Sequence, residues 1–379
     1  MGVRPKILLL AGEESGMMYA TRLAEILREA GAEIRGYGDY GFGTADLAVM
    51  GFWPVLRRIF FFLRVARTMK RAIREWRPDV VVTVDYPGLN LKLAAYAKGR
   101  GVPAVHVVCP QVWAWHKERI PRVAASVSEL LCFFPFEPAL FDGTGLEAKF
   151  IGHPLVKVVE SEAGAAKREE GGRTVAILPG SRIGEIRRIL PRLLGAVRMI
   201  PREGVKVVIP AANEMAKREI DGIVKGAGEL PPVEVRLGGA RGLLREARCA
   251  AVASGTATLE AALARCPTVL VYAVSPLLAW FARRVITGVR HVGLINVVAE
   301  KCGFEPPMPE LLQEAFTPEA VAERLREWLM DDASRAAAAK RLDGALSRLE
   351  SGGNPLRLAA DEILTKGSSR KYEGGSDGD

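Results

Sequence analysis

Four short stretches carry residue types that could do chemistry together. Val80-Val81-Val82-Thr83-Val84 is an apolar β run that ends on a carboxylate, Asp85, and is broken by Tyr86-Pro87-Gly88. Ligands of open α/β sheets bind at the carboxyl ends of strands, so Asp85 is well placed for chemistry. The plainer alternative is an Asp that caps the next helix. Pro179-Gly180-Ser181-Arg182 follows the apolar run Thr174–Leu178. It combines backbone N–H groups with a guanidinium able to grip a diphosphate. Ser254-Gly255-Thr256 follows Ala250-Ala251-Val252-Ala253 and leads into a helix. The amides and dipole at such a helix start favour a phosphate, and Glu260, about one turn further in, can reach a ribose hydroxyl. Here the plainer reading is a β–α turn with a Ser/Thr cap and a solvated Glu. In the fourth stretch, Gly12-Glu13-Glu14-Ser15-Gly16, the glycines suit a phosphate loop but two carboxylates would repel phosphate. That loop is expected to face sugar hydroxyls or an acceptor.

The elements that must position these loops fall into two series of alternating strands and helices, which implies a parallel sheet in each half. In the first series, strand Ile7–Ala11 is followed by Ala20, Leu23, Ala24 and Leu27 at helical spacing, with Gly31 as a stop. Val80–Val84, Ala104–Val108, Leu130–Phe133 and Lys149–Ile151 continue it, and Gly152-His153-Pro154 closes it. Residues 161–173 are charged and glycine-bearing and read as a linker. The second series has strands near 174–178, 205–208, 233–235, 250–253 and 268–272. The predicted organisation is a Rossmann-like domain over 1–160, a second over 174–340, and a C-terminal helix over 341–366. A disordered tail is expected over 367–379, and the C-terminal helices are expected to pack back on the first domain. Two such domains would face each other across a cleft, with the anion loops in the second and Asp85 in the first.

A chain of 379 residues exceeds what one core usually holds, which agrees with two domains. Lys and Arg number 53 against 44 acids, a net +9 that suits an anionic partner or simple solubility. The five cysteines are scattered without a C-x-x-C pair, so neither a zinc site nor a disulfide framework is expected. No Asp-x-Asp pattern follows a predicted strand, so no metal is expected, and no cluster has metal-ligand spacing. The leaving diphosphate would then be stabilised by the helix dipole and Arg182. Neither a G-x-x-x-x-G-K-[ST] loop nor a G-x-G-x-x-G turn follows the first strand, which argues against ATPase and dehydrogenase chemistry and against a cofactor. No apolar run reaches the roughly 20 residues of a membrane-spanning helix, and the N-terminus lacks a signal-peptide core. Phe52, Trp53, Phe60, Phe61 and Phe62 form an aromatic cluster, and Arg67, Lys70, Arg71 and Arg74 follow at i, i+3, i+4, i+7. Three consecutive phenylalanines cannot share one core face, so the segment reads as an interfacial membrane element. A core helix with a solvated basic face is the alternative. The basic cluster lies beside aromatics, which favours acidic lipid over nucleic acid.

Jointly, several of these stretches resemble the lipid-A-disaccharide synthases, glycosyltransferases of the GT-B type. The matching pieces are Ala11 to Gly16, Leu47 to Gly51, Arg77 to Val80 with Asp85-Tyr86-Pro87, and Val112 to Trp115. They continue with Phe134 to Pro138, Ile151 to Leu155, Leu178 to Arg182, Ala253 to Glu260 and Pro309 to Glu314. The resemblance implies an inverting transfer that joins UDP-2,3-diacylglucosamine to 2,3-diacylglucosamine 1-phosphate, giving a β-1,6-linked disaccharide and UDP. By motif it makes Asp85 the general base for the acceptor 6-hydroxyl and Arg182 a functional arginine at the diphosphate. Glu13, Ser15 and Asn296 match other active-site positions, Glu260 binds the ribose, and Gly180, Ser181, Ser254, Gly255 and Thr256 hold UDP. It also implies a cytoplasmic protein peripheral to an anionic inner membrane in a Gram-negative cell, and it leaves a homodimer open. Met17, Gly88, Cys109 and Gln111 depart from the family pattern, so a transferase for another UDP sugar, or a non-catalytic UDP- or lipid-binding relative, is the alternative.

Overall fold

The computed structural model describes residues 4–12, 14–43, 59–161, 172–275, 279–280, 284 and 288–373, without the side chains of Glu14, Ser15 and 369–373. Two compact units emerge. Unit 1 is Met1–Pro154 with Leu349–Asp379, and unit 2 is Leu155–Arg348.

In unit 1 the chain runs β1 (Lys6–Ala11), α1 (Glu14–Glu29), β2 (Glu33–Arg35), α2 (Ile59–Trp76), β3 (Val80–Val84) and α3 (Pro87–Lys98). It continues with β4 (Ala104–Val107), α4 (Ile120–Ser126), β5 (Glu129–Cys132) and β6 (Glu147–Phe150). All six strands are parallel, in the order β2-β1-β3-β4-β5-β6. β3 is buried along its whole length, as expected of a strand covered on both faces. α1 covers one face with Leu23 and Leu27, and α2 covers the other with Val65, Met69 and Ile73.

Unit 2 begins with α5 (Pro154–Ser161), then β7 (Thr174–Leu178), α6 (Ile183–Met199), β8 (Lys206–Ala211), α7 (Glu214–Lys225) and β9 (Val233–Leu237). α8 (Ala240–Glu246), β10 (Cys249–Ala253), α9 (Thr256–Leu263), β11 (Thr268–Tyr272), α10 (Leu294–Lys301) and β12 (Glu310–Leu312) follow, and α11 (Pro318–Met330) and α12 (Asp332–Leu346) finish it. Its parallel sheet has the order β12-β11-β10-β7-β8-β9.

The chain then returns to unit 1. The His153 amide donates to the Leu349 carbonyl at 2.9 Å, and the Ser351 hydroxyl donates to the Ile151 carbonyl at 2.6 Å. α13 (Pro355–Glu373) buries Leu356, Ala359, Ala360 and Ile363 against α1 and the sheet. Lys149 and Lys366 bracket the fully buried Glu129 of β5 at 3.2 and 3.6 Å, and Lys149 also meets Glu362 at 2.7 Å. This helix corrects the tail expected over 367–379, because it continues through Gly367 to Glu373. The spacing near 341–366 likewise hid a break, since α12 ends at Leu346 and α13 starts at Pro355. Most of the linker expected over 161–173, and residues 374–379, lie outside the described residues.

Candidate active site

Each sheet has one point where the strand order reverses direction. Open α/β sheets bind ligands there, beyond the carboxyl ends of the strands. In unit 1 the reversal falls between β1 and β3, whose last residues pair, Ala11 with Val84. Gly12 and Asp85 therefore leave the sheet side by side. In unit 2 it falls between β7 and β10, where Leu178 pairs with Val252. Pro179–Arg182 and Ser254–Thr256 leave from those two strands. Four loops singled out by their chemistry thus sit at the two places the topology reserves for ligands.

Around Asp85 the backbone is unusual. Asp85 and Tyr86 both have left-handed φ, 51° and 52°, a conformation that side chains with a Cβ avoid. Asn90 of α3 holds them. Its Nδ2 lies 2.8 Å from the Asp85 carbonyl and 3.2 Å from both the Leu10 and Val84 carbonyls, and its Oδ1 accepts from the Tyr37 hydroxyl at 2.8 Å. Asn90 is fully buried. Gly12 completes the fit, because a Cβ there would stand 2.6 Å from the Tyr86 ring. Asp85 does not cap α3. Its Oδ1 accepts from the Tyr86 amide at 2.8 Å, and Tyr86, the residue before the helix, makes no side-chain cap. Burial holds the Asp85 carboxyl above the usual carboxylate range, and the Tyr86 amide works against that. A raised carboxylate pKa suits a general base near neutral pH.

In unit 2, the amide end of α9 has no side-chain cap, because Gly255 is its N-cap residue. The Thr258 hydroxyl turns back onto the Gly255 carbonyl at 2.7 Å, and the Ser254 hydroxyl onto Val292 at 3.4 Å. The Ser/Thr cap of the plainer reading is therefore absent, and among the described residues the first-turn amides of α9 have no side-chain acceptor. At the neighbouring loop Gly180 has φ +104°, with the Glu185 carboxylate 2.7 Å from where a Cβ would stand. Glu185 Oε1 also accepts from Arg182 Nη1 at 2.9 Å. Glu260 lies on α9 within 3.6 Å of Arg241. The protein itself thus pairs Arg182 with an acid and Glu260 with a base.

Asn296, which by motif matches an active-site position, is fully buried. Its Nδ2 donates to the Met308 carbonyl and to Glu310 Oε1, both at 2.8 Å, and its Oδ1 accepts from the Met308 amide at 3.0 Å. Glu310 in turn accepts from the Val292 and Gly293 amides at 3.0 Å. Asn296 therefore holds the loop before α10 to β12 and presents no group to solvent. Glu13 lies outside the described residues, as do the Ser15 side chain, Phe52 and Trp53.

The aromatic segment also needs correction. Phe61 and Phe62 are half-buried against the core under α2, edge-on to each other at 5.4 Å, with Phe61 on Phe42 and Phe62 near Tyr86. Phe60 alone of the three stands out, 82% exposed, flanked by exposed Ile59 and Leu63. A helix turns 100° per residue, so consecutive positions divide between core and solvent. Lys70 lies over the Tyr96 ring at 5.0 Å and Arg71 pairs with Glu75 at 2.7 Å, while the Arg67 side chain is exposed.

Two motif stretches prove to be scaffolding. Trp113 Nε1 donates to Glu137 Oε1 and the Phe134 amide donates to Glu137 Oε2, both at 3.0 Å. Cys109 and Cys132 lie beside this buried carboxyl, all three within 4.8 Å. Contact with Cys132, and then burial, push the Cys109 thiol up, and burial pushes Glu137 up to about 8. Protonated thiols beside a carboxyl already accepting two hydrogen bonds make a poor metal cage. The cluster instead fixes the Cys109–Trp115 loop. Spacing along the chain gave no hint of it, because the three residues come from separate strands and loops.

Comparison with known proteins agrees with this geometry. The Lipid-A-disaccharide synthetase family description matches residues 7–360. The chain belongs to that family. A lipid-A-disaccharide synthase of Myxococcus xanthus is 36% identical over 379 residues, covering 95% of this chain and 97% of the relative. One from Thiobacillus denitrificans is 37% identical over 371 residues, covering 93% and 97%. Among solved structures, MurG of Acinetobacter baumannii aligns with TM-score 0.58 at 14% identity, covering 95% of this chain and 99% of that one. The UDP-GlcNAc 2-epimerase of Neisseria meningitidis aligns with TM-score 0.58 at 10% identity, covering 95% and 100%. At such identities these structures speak for the shared GT-B fold alone.

Proposed function

We propose that this chain is an inverting hexosyltransferase that joins UDP-2,3-diacylglucosamine to 2,3-diacylglucosamine 1-phosphate, releasing UDP and lipid A disaccharide 1-phosphate. Family membership supports the reaction, and the observation that carries the mechanism is Asp85. It is a carboxylate at a sheet reversal point, held in a strained turn, with its pKa raised by burial. In this reading Asp85 takes the proton from the acceptor 6-hydroxyl as that oxygen attacks the anomeric carbon. The C1–O bond to UDP breaks on the opposite face, which inverts the centre. UDP leaves as an anion toward the α9 amides and Arg182, with Glu260 on the ribose. Glu13 and Ser15 are assigned to the sugar side of the same site.

The exposed apolar corner Ile59, Phe60 and Leu63, with Arg64 and Arg67, supports a second part of the proposal, docking on an anionic membrane that holds both lipid substrates. No helix among the described residues is long and apolar enough to cross a membrane.

The decisive assay incubates the protein with both lipid sugars and follows disaccharide and UDP. Wild type should make both, and Asp85→Asn should slow turnover by about 10²–10⁴-fold with UDP binding retained. Wild-type rates from Asp85→Asn would remove the assigned base. No disaccharide from the wild type would remove the reaction.

A further inference from the structure

A groove of about 410 Å³ in unit 1 begins at Pro87, two residues beyond Asp85, and runs between α3 and α4. Its volume is in the range of small-molecule sites. Gly88, Leu91, Lys92 and Ala95 form one wall at i, i+3, i+4, i+7, one face of α3. Arg119, Arg122, Val123 and Ser126 form the other with the same spacing, and Gln111, Val112 and Trp115 close one end. The floor is carbon, from Leu91, Ala95, Val112 and Val123. The rim carries three cations and no carboxylate. Neither Lys92 nor Arg122 has an ion pair among the described residues. Arg119 lies over the exposed Trp115 ring at 5.9 Å, and its neighbour Glu118 is engaged by His116.

An apolar trough with a cationic rim matches an acyl chain that ends in a phosphate-bearing sugar. We propose that this groove is the subsite that binds the acceptor of the reaction proposed above, on which this inference rests. One acyl chain lies on the carbon floor, and Lys92, Arg119 and Arg122 hold the 1-phosphate. Gly88 and Gln111, two of the positions where this chain departs from its family, both line the groove. A Cβ at Gly88 would meet no atom within 4 Å. Glycine therefore leaves the mouth open.

The full-length enzyme is assayed with the phosphorylated acceptor and with its 1-dephosphorylated counterpart. Lys92→Glu and Arg122→Glu are expected to raise KM for the phosphorylated acceptor roughly 10- to 100-fold, the effect of losing a charge-assisted contact. They should abolish the preference for it, with donor KM and thermal melting unchanged. Gly88→Leu should raise KM for both acceptors by filling the mouth, again without loss of melting temperature. If the wild type turns over and the charge-reversed variants keep its preference, the subsite is wrong and the reaction stands. If the wild type makes no disaccharide from either acceptor, the reaction and the subsite both fall.

Discussion

Asn90 is the residue on which the geometry of Asp85 most depends, and Asn90→Ala tests that dependence. The substitution leaves the Tyr37 hydroxyl and the Asp85 carbonyl buried without their partner. Each buried unsatisfied group costs about 1–3 kcal/mol. Release of two left-handed residues, at roughly 1–2 kcal/mol each, offsets part of that. The net destabilisation is about 0–2 kcal/mol. For a unit of this size that lowers its melting temperature by no more than roughly 8 °C. Tyr37→Phe removes one hydrogen bond and keeps the donors to Asp85, so it should cost about 1–2 kcal/mol and leave kcat within a few-fold. Well below its melting temperature, Asn90→Ala should lose about 10²-fold in kcat with donor KM unchanged, the low end of what removing a general base costs. The pH profile separates positioning from mere instability. In the wild type, activity falls as pH drops through the raised pKa of Asp85, because the base must be ionised. In Asn90→Ala the freed turn lets water reach the carboxylate, so the acid limb moves down toward the ordinary value near 3.9. Calorimetry and a pH series of initial rates suffice. A stable Asn90→Ala with the wild-type kcat and acid limb would refute the reasoning.

Two further outcomes follow from the same structure. Phe60→Glu should weaken binding of the protein to phosphatidylglycerol vesicles by roughly 10- to 100-fold, the worth of one buried aromatic side chain, and high salt should weaken wild-type binding; equal binding to neutral and anionic vesicles would contradict the docking face. Burial holds Glu137 at about 8, above its unfolded value near 4.3. A group whose folded pKa is raised stabilises the protein fully at pH below the unfolded value and loses that contribution as pH rises to the folded one. Urea midpoints of wild type should therefore decline from pH 5 to pH 9 relative to Glu137→Gln, and a rise relative to that variant would reverse the assignment.

How much of this could be read in the sequence depended on whether the signal was local. Fully buried strands such as Val80–Val84 and Cys249–Ala253 read as apolar runs, so both parallel sheets and the loops at their ends were legible. The reversal points were not, because strand order is a non-local property, yet they decide which loops share a site. Asn90 was overlooked for a related reason. A single polar residue inside Leu89-Asn90-Leu91 resembles a solvated helix position, and only the packing shows it buried against three carbonyls. Asn296 reads by motif as an active-site position, and only the packing shows its amide engaged by Met308 and Glu310. The tail was misjudged because Gly367-Ser368-Ser369 has the composition of disorder, while Ile363 and Lys366 one turn earlier are anchored on the sheet and on Glu129 and carry the helix onward.

The four departures from the family pattern divide by environment, and the division says which of them bear on substrate. Met17 packs against the core beneath α1, and Cys109 is buried beside Cys132 and Glu137. Both answer to local packing, where a volume change is accommodated by neighbours. Gly88 and Gln111 are exposed and line one groove, opposite Arg119 and Arg122. Selection among acceptors is a difference of affinities, set as much by removing a repulsive group as by adding an attractive one. In the proposed acceptor groove a side chain at position 88 would stand at the mouth, whereas Asp85 is not among the residues that line it.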